Sequence, residues 1–406
     1  MNEDRIASAT PDARMSLRDY NQTRVTEALR MAGTATRAEL RAWTGLSRAT
    51  LGPLVDRLLA DGIAAQTDDG ASPVDGERAT GRRGRPAQRI RLTSRAGLVI
   101  GLAFGHSDLW AASADLSGTV LRENRLQLRD NSAETALDTA ADALSDLLAS
   151  SSRGTTEAAQ VVVGLPCPID AKTNRILMNN ILPGWVTLRP AHEMARRTGY
   201  NVAIENDANL AALGEWRYGI GQGVADLIYL KASVGIGVGF VLDGRLYRGA
   251  TGTAGEIGHT QVNSDGDICR CGNRGCLETI ASLPQVLNAL SAAHGRQLNT
   301  DDLLALILDN DLGARRVVAD AGRRIGRPLA DLCNVLNPAV VVVGGELGTV
   351  GTVLADAIQE SINRYAQPMV GEAIAARPSS LGPRAEVLGA ITLAIANATT
   401  GPNTRA

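Results

Sequence analysis

Short amphipathic stretches separated by turn residues make up the first part of the chain. Residues 1–16 are polar and lack apolar periodicity, which predicts a disordered tail. A first helix of about ten residues is expected from Asn21, a residue type that caps helix N-termini. Thr36 and Glu39 have the spacing of a capping box, which predicts a second, short helix that ends at Gly45.

A third helix is predicted between Ser47, its N-cap, and Gly62. Its apolar positions recur at helical spacing: Leu51, Leu54, Val55, Leu58 and Leu59. A helix, a glycine turn and a second helix are typical of the helix-turn-helix, whose second helix enters the DNA major groove. We therefore expect Ser47, Arg48 and Thr50 to contact DNA. Pro53 removes a backbone donor, so this helix must start late or bend. A helical hairpin used for dimerisation is the alternative.

A basic turn follows at residues 81–92, G-R-R-G-R-P-A-Q-R-I-R-L. Arg82, Arg83 and Arg85 crowd a glycine and proline turn, and residues 88–92 alternate like a strand. This pattern predicts the hairpin wing of a winged helix-turn-helix spanning residues 17–95. The three arginines would contact phosphates or the minor groove. A solvated basic loop is the alternative.

From residue 97 the pattern becomes that of an α/β protein. Three strands joined by tight turns precede an alanine- and leucine-rich helix at 133–149 and a buried strand near 161–165. The second half repeats this order, ending in the apolar run 339–344. Two copies of a β-β-β-α-β plan predict two α/β lobes with a cleft between them, within residues 96–400.

Length, charge and composition refine this picture. The 406 residues suggest two or three domains, and the net charge of −2 points to neither nucleic acid nor membrane. Residues 1–95 carry a net charge of +4 and the remainder −6, which suits a DNA-binding head on a metabolite-binding body. Lys172 and Lys231 are the chain's two lysines, which we interpret as compositional bias. No membrane-length apolar run or signal-peptide core is present, so we expect a cytoplasmic protein.

The segment 256–278 carries the most specific chemistry in the sequence. Cys269, Cys271 and Cys276 have the spacing C-x-C-x4-C, and His259 lies ten residues upstream of the first. Three cysteines and one histidine match the closed tetrahedral coordination of structural Zn²⁺. Glycines 272 and 275 permit the tight turns that bring such close ligands together. A loop with free or disulfide-paired cysteines is the alternative.

The same residues carry a family resemblance. The motif E-x-G-H followed by C-x-C-G-x-x-G-C-x-E resembles the signature of the ROK family, which groups bacterial sugar kinases with transcriptional repressors. The resemblance covers about residues 95–400, and the G-R-P turn before a strand resembles ROK repressors. It implies an actin-like, ribonuclease-H-like, ATPase-type ROK domain of two lobes behind the winged helix-turn-helix. It also implies that the cysteines and the histidine hold zinc.

The resemblance further implies a sugar site. Glu256, His259 and Glu278 would face the sugar, and Asn206 and Asp207 match the family's N-D pair. In the kinases this aspartate is similar to a general base that takes a proton from a sugar hydroxyl. Helix capping is the alternative role for the N-D pair. Trp185 could stack on a sugar or belong to the core.

One position separates the chain from the family's kinases. The kinases place D-x-G-G-T after the first strand of the domain, where it holds magnesium and the ATP phosphates. Here the stretch is G-L-A-F-G-H-S, and Ala103 stands in place of the aspartate. We therefore predict no kinase activity and treat Asp207 as a vestigial base.

These observations predict a zinc-containing ROK transcriptional regulator of carbohydrate metabolism, a repressor. Operator DNA, a sugar or sugar derivative, and a homodimer or homotetramer are the expected partners. A ROK sugar kinase with an appended DNA-binding head is the first alternative. The second is a DNA-binding protein that answers to a partner protein and keeps a vestigial sugar site.

Overall fold

The computed structural model describes residues 17–32, 34–67, 88–93, 97–128, 132–150, 158–170, 172–177, 184–185 and 188–399. The predicted tail at 1–16 and the predicted DNA-contacting residues Arg82, Arg83 and Arg85 lie outside these ranges.

The N-terminal head contains three helices and a small sheet. Its helices are α1 (Leu17–Ala32), α2 (Arg37–Thr44) and α3 (Arg48–Ala60), and its strands are β1 (Thr34–Thr36), β2 (Ala64–Thr67) and β3 (Arg89–Leu92). The strands are antiparallel in the order β1-β3-β2. The prediction that α1 starts at Asn21 was wrong. Asn21 lies inside the helix and is buried, because the apolar side of α1 extends back to Tyr20.

The caps of α2 and α3 confirm the turn chemistry read from the sequence. The Glu39 backbone N–H donates to Thr36 Oγ1 at 3.2 Å, and the Thr36 N–H donates to Glu39 Oε2 at 2.7 Å. Gly45 ends α2 in the left-handed conformation (φ 63°), and the Ser47 side chain caps α3. The apolar residues predicted for α3 pack with α1 and the sheet in one core.

Pro53 lies within α3, in its second turn. The helix begins at Arg48, so the late start that the sequence suggested does not occur. Proline lacks the N–H that would otherwise donate to the Ala49 carbonyl. The ring itself is exposed, so no core packing opposes it.

The first lobe is built on a five-stranded sheet in the order β6-β5-β4-β7-β8. Its elements are β4 (Leu98–Phe104), β5 (Asp108–Asp115), β6 (Val120–Gln127), α4 (Ala133–Ala149), β7 (Ala158–Leu165), α5 (Pro190–Thr198) and β8 (Val202–Asn206). The first three strands are antiparallel, and β7 and β8 continue the sheet in parallel.

The second lobe repeats this plan in the order β11-β10-β9-β12-β13. Its elements begin with α6 (Asp207–Tyr218), β9 (Leu227–Ala232), β10 (Ile236–Leu242) and β11 (Arg245–Tyr247). Helices α7 (Glu278–Ala281), α8 (Leu283–His294), α9 (Thr300–Leu308) and α10 (Leu312–Leu336) precede β12 (Val340–Gly344). The last elements are α11 (Thr352–Tyr365), α12 (Pro368–Ala373), β13 (Ala375–Pro378) and α13 (Ala385–Thr399). The duplicated α/β architecture predicted from the sequence is confirmed.

Two helices connect the lobes. Helix α13 packs against β4 and β7 of the first sheet, and α6 packs against β9 and β10 of the second. The two helices also pack on each other so closely that a Cβ at Gly389 would lie 1.7 Å from the Leu210 carbonyl oxygen. Glycine therefore sets the spacing of this helix pair, and the start of α6 is placed between the two sheets.

Within the described ranges, no helix combines the length and the apolar character needed to cross a membrane.

Candidate functional site

The four predicted metal ligands converge in a loop of the second lobe. The ligand atoms of His259, Cys269, Cys271 and Cys276 all lie within 4.8 Å of one another. The Cys271 and Cys276 sulfurs are 3.7 Å apart, far beyond a disulfide bond length of about 2.05 Å. The disulfide alternative therefore does not describe this loop.

The donor spacing fits a tetrahedral Zn²⁺ ion. With Zn–S of about 2.3 Å and Zn–N of about 2.0 Å, tetrahedral angles place two sulfurs about 3.8 Å apart and a sulfur and a nitrogen about 3.5 Å apart. The observed distances are 3.7 Å for Cys271 Sγ to Cys276 Sγ and 3.5 Å for Cys269 Sγ to His259 Nδ1. Burial lowers the pKa of His259, which favours the neutral imidazole that a metal requires. The residues present thus form a site that could bind a metal ion through Nδ1 and three sulfurs.

Glycine positions shape the metal loop as the spacing suggested. Gly272 and Gly275 have φ values of 93° and 68°, a region that favours glycine. A Cβ at Gly275 would also lie 1.5 Å from the Asn263 carbonyl oxygen. A side chain at 275 would therefore push the two arms of the loop apart and separate Cys276 from the other ligands.

A polar cleft lies beside the metal loop, at the start of α6. All five predicted sugar ligands line it: Asn206, Asp207, Glu256, His259 and Glu278. Residues from the first lobe close the other side, including His106 and Pro166. The cleft is therefore built by both lobes, and the structure brings the five residues together.

Asn206 is engaged within the protein. Its side-chain oxygen accepts from the N–H groups of Ala208 at 3.0 Å and Asn209 at 3.2 Å, as the N-cap of α6. Its amide nitrogen donates to the Cys167 carbonyl at 3.2 Å. The capping alternative thus describes what Asn206 does here, and its amide has little left to offer a ligand.

Asp207 is buried and also has partners on both oxygens. Oδ1 accepts from the Ala208 N–H at 2.7 Å, and Oδ2 accepts from Lys231 Nζ at 2.6 Å. Lys231 donates in addition to the Glu386 carboxylate at the start of α13. Each Asp207 oxygen keeps a second lone pair that a ligand hydroxyl can use.

The other carboxylates of the cleft are tied to the metal loop. Glu278 Oε2 accepts from Arg270 Nη2 at 2.6 Å, and Arg270 stands between two of the clustered cysteines, Cys269 and Cys271. Glu256 lies 3.6 Å from His259 Nε2, on the edge of the ring opposite the cysteines. Burial, with Asp207 and Glu278 nearby, raises the pKa of Glu256 to about 7.

Three glycines of the second lobe, Gly239, Gly344 and Gly345, are required by close packing. A Cβ at Gly344 would lie 1.9 Å from the Tyr229 hydroxyl, and one at Gly345 would lie 2.4 Å from the Ala232 carbonyl oxygen. A Cβ at Gly239 would lie 2.2 Å from the Ala208 carbonyl oxygen. Close backbone approach therefore explains these glycines without any bound phosphate.

Ala103 and Trp185 both face apolar surroundings. Ala103, in β4, is 1% exposed within a cluster that includes residues of α13. Trp185 is buried and contacts Phe104 edge-on, with ring centroids 5.2 Å apart. Trp185 therefore belongs to the core, and its stacking on a sugar is not supported.

The predicted DNA-contacting residues of α3 lie together at its N-terminal end. Ser47, Arg48 and Thr50 are all exposed. The hydroxyls of Ser47 and Thr50 are 3.0 Å apart, and the Ser47 oxygen also accepts the Thr50 N–H. The end of the helix is thus free of packing against the rest of the head.

Sequence reasoning missed three charged residues of the cleft region: Lys231, Arg270 and Glu386. Lys231 was attributed to compositional bias, although the scarcity of lysine could have singled it out. Arg270 lies inside the metal motif, at a position that the motif leaves open. Glu386 lies 155 residues from Lys231, and no local pattern relates the two.

Curated relatives match nearly the full chain. The xylose repressor of Bacillus subtilis is 27% identical over 359 residues, covering 88% of this chain and 90% of the relative. The N-acetylglucosamine repressor of Escherichia coli O157:H7 is 29% identical over 361 residues, covering 86% of each.

Solved structures match the whole chain or its two lobes. A ROK family transcriptional regulator, described as a homologue of the Escherichia coli Mlc protein, has a TM-score of 0.79 at 23% identity and covers 95% of this chain and 98% of its own. A ROK family glucokinase from Streptomyces griseus, in complex with glucose and AMPPNP, has a TM-score of 0.60 at 29% identity and covers 73% of this chain and 99% of its own. The actin-like fold is thus shared with regulators and kinases alike. The sequence pattern of the ROK family matches residues 99–397, and the chain belongs to that family.

Proposed function

We propose that the protein is a DNA-binding transcriptional repressor of carbohydrate metabolism that is controlled by a sugar or sugar derivative. The observation that carries the proposal is that one chain contains both an exposed helix end suited to DNA and a polar cleft suited to a small ligand. An exposed helix end that bears Ser47, Arg48 and Thr50 precedes a cleft lined by polar side chains of both lobes. Relatives named as repressors of xylose and N-acetylglucosamine functions support it.

The proposal assigns a different function to each of the two domains. Residues 17–95 form the DNA-binding domain, with Arg82, Arg83 and Arg85 in its wing. Residues 96–400 form the effector-binding domain, in which Asp207, Glu256, His259 and Glu278 bind ligand hydroxyls. A carboxylate that accepts from a hydroxyl makes a stronger bond than a neutral acceptor does. The side-chain bonds of Asn206 give it a supporting role at the helix start.

The metal is Zn²⁺ in this proposal, held by His259, Cys269, Cys271 and Cys276 with no position open for water. Its role is to orient the residues around it. His259 would present Nε2 to the cleft while Nδ1 faces the cysteines, and Arg270 would be held against Glu278. Removing the metal would therefore disturb the effector site before it disturbed the fold of either sheet.

Regulation requires that the effector distinguish two arrangements of the lobes. A sugar bound between them would favour one arrangement, and the heads would be repositioned with it. Two heads on paired half-sites require a homo-oligomer, a dimer or a tetramer. The protein would act in the cytoplasm, where operator DNA is available.

The experiment is a genomic selection with the full-length protein. Fragmented genomic DNA bound by the purified chain is sequenced with and without D-xylose, D-glucose and N-acetyl-D-glucosamine. We expect a small set of fragments that share a two-fold symmetric site and are released by one sugar. Recovery of unrelated fragments only would overturn the DNA-binding role. Specific fragments that no sugar releases, with no sugar-induced shift in melting temperature, would favour control by a partner protein.

A sugar kinase with an appended head is the second candidate. The similarity to the Streptomyces griseus glucokinase and the retained Asp207 favour it. Ala103 opposes it, because the carboxylate that would position magnesium and phosphates is missing. A coupled assay with Mg·ATP and hexoses is expected to give no turnover, and measurable turnover would revive the kinase.

A further inference from the structure

One of the chain's two lysines is buried at the floor of the cleft. Lys231 is 9% exposed and lies on β9 of the second lobe. Its ammonium donates to Asp207 Oδ2 at 2.6 Å and to the Glu386 carboxylate. Asp207 is the first residue of α6, and Glu386 lies in the first turn of α13. A single ammonium thus joins β9 to both helices that connect the lobes.

The surroundings of this ammonium are acidic. The other titratable groups that act on the network are Tyr229 on the same strand, Glu346 after β12, Glu256 of the metal loop and His106 of the first lobe. Burial alone would lower the pKa of Lys231, but Asp207, Glu386 and Glu346 raise it well above its ordinary value. Burial also raises the pKa of Tyr229, so its hydroxyl stays neutral. The lysine therefore remains charged throughout the physiological pH range.

The ion pair determines how Asp207 is presented to the cleft. Its Oδ1 accepts from the Ala208 N–H and its Oδ2 accepts from the Lys231 ammonium, so the carboxylate is held from two sides. A carboxylate held in this way can accept a ligand hydroxyl through the lone pairs that remain.

We propose that Lys231 is a positioning residue that holds the Asp207 carboxylate in the orientation in which it accepts a ligand hydroxyl. Through Glu386 it also ties this acceptor to the helix that packs on the first sheet. The inference rests on the proposed function for the identity of the ligand. The contribution of Lys231 to the network can be tested without any ligand.

The first experiment compares thermal stability at pH 5.5 and pH 8.5. Lys231→Met removes the charge with little change in volume.

In wild type, burial raises the pKa of Glu386 to about 7 even with the lysine present. Without the ammonium, the pKa of Glu386 rises further, because the positive charge that lowers it is gone. Groups with raised folded-state pKa values stabilise the protein at low pH and lose that contribution as the pH rises through the folded-state values. The deficit in melting temperature of Lys231→Met is therefore expected to be at least about twofold larger at pH 8.5 than at pH 5.5.

Two further variants make the result specific. Lys172→Met, the same change at the chain's other and exposed lysine, should leave the melting temperature unchanged at both pH values. Lys231→Met with Glu386→Gln removes one of the facing carboxylates and should recover much of the stability lost at pH 8.5. A deficit that is equal at both pH values, or absent recovery in the double variant, would show that Lys231 only fills space. If Lys231→Met folds at neither pH and the double variant does not fold, the proposal is also overturned.

The second experiment uses the sugar from the panel above that binds the wild-type protein. The Kd of that sugar is measured for Lys231→Met and for wild type at neutral pH. We expect a roughly tenfold or larger increase in Kd for the variant, because Asp207 loses the bond that orients its Oδ2. An unchanged Kd contradicts the proposal, whereas a wild type that binds no sugar contradicts the proposed effector and leaves the stability result to decide on Lys231.

Discussion

The imidazole of His259 faces two different environments across a single ring. Nδ1 lies 3.5 Å from Cys269 Sγ within the metal cluster, and Nε2 lies 3.6 Å from the Glu256 carboxylate at the edge of the cleft. An ion bound at Nδ1 fixes the tautomer and orientation of the ring, and so fixes which group Nε2 offers to a ligand. Metal site and cleft therefore share a residue, and changes at one should be felt at the other.

Loss of one thiolate tests the metal site directly. Cys271→Ser is expected to reduce bound zinc from about one ion per chain to a small fraction, because three remaining donors leave the tetrahedral site incomplete. Elemental analysis of the purified protein measures the content. Cys333→Ala, at a buried cysteine of the second lobe outside the cluster, should keep the zinc. Equal zinc in both variants would contradict the assignment.

Glu278 is the residue for which we expect the largest effect on ligand binding. It is buried, lines the cleft and is held by Arg270. Glu278→Gln replaces a charged acceptor with a neutral one and leaves Arg270 without its carboxylate. Sugar affinity measured by calorimetry should fall by about 10- to 100-fold, which corresponds to a charge-assisted hydrogen bond of about 1.5–3 kcal/mol. Glu134→Gln, on the exposed first turn of α4, provides a control that should not change it.

At the scale of elements, the two charged ends of α3 should behave differently toward DNA. Arg48 lies at the exposed N-terminus, which enters the groove in helix-turn-helix proteins. Arg57 lies about two and a half turns further along and pairs with Asp61 at 3.5 Å. Arg48→Ala should weaken binding to the selected operator by about 1–3 kcal/mol and relax its sequence preference. Arg57→Ala should weaken all DNA sequences about equally.

Titration of both variants on operator and scrambled duplexes at several salt concentrations separates the two effects. Loss of a phosphate contact reduces the slope of log K against log salt concentration by about one. Loss of a base contact changes the ratio of the affinities for operator and scrambled duplex. A matching loss on operator and scrambled DNA for Arg48→Ala would remove it from the set of base-contacting residues.

For the whole molecule, the position of the cleft between the lobes predicts reciprocal coupling. If a sugar lowers the affinity for operator by some factor, saturating operator must lower the affinity for that sugar by the same factor. Typical couplings amount to about 5- to 150-fold. Sugar binding measured by calorimetry with and without operator duplex provides the comparison. A sugar affinity that saturating operator leaves unchanged would show that this sugar does not control DNA binding.

Much of this protein could be read from its sequence because the relevant interactions are local. The capping box at Thr36 and Glu39, the left-handed turn at Gly45 and the Cys-x-Cys ligand spacing each involve residues a few positions apart, and all appear in the structure. Local hydrogen bonds and turn geometry depend little on the rest of the fold, so their patterns carry over directly. The repeated strand order was likewise visible from periodicity.

Only the tertiary structure decided which side chains of the cleft bond to one another. In the structure the Asn206 side chain caps the start of α6. Lys231 bonds to Asp207 and Glu386, which lie 24 and 155 residues away in the sequence. No local sequence pattern distinguishes a solvent-exposed lysine from a buried lysine that is paired with a distant carboxylate. The orientation of Asp207 depends on which elements pack together, because its lysine partner reaches it only when β9 packs against α6.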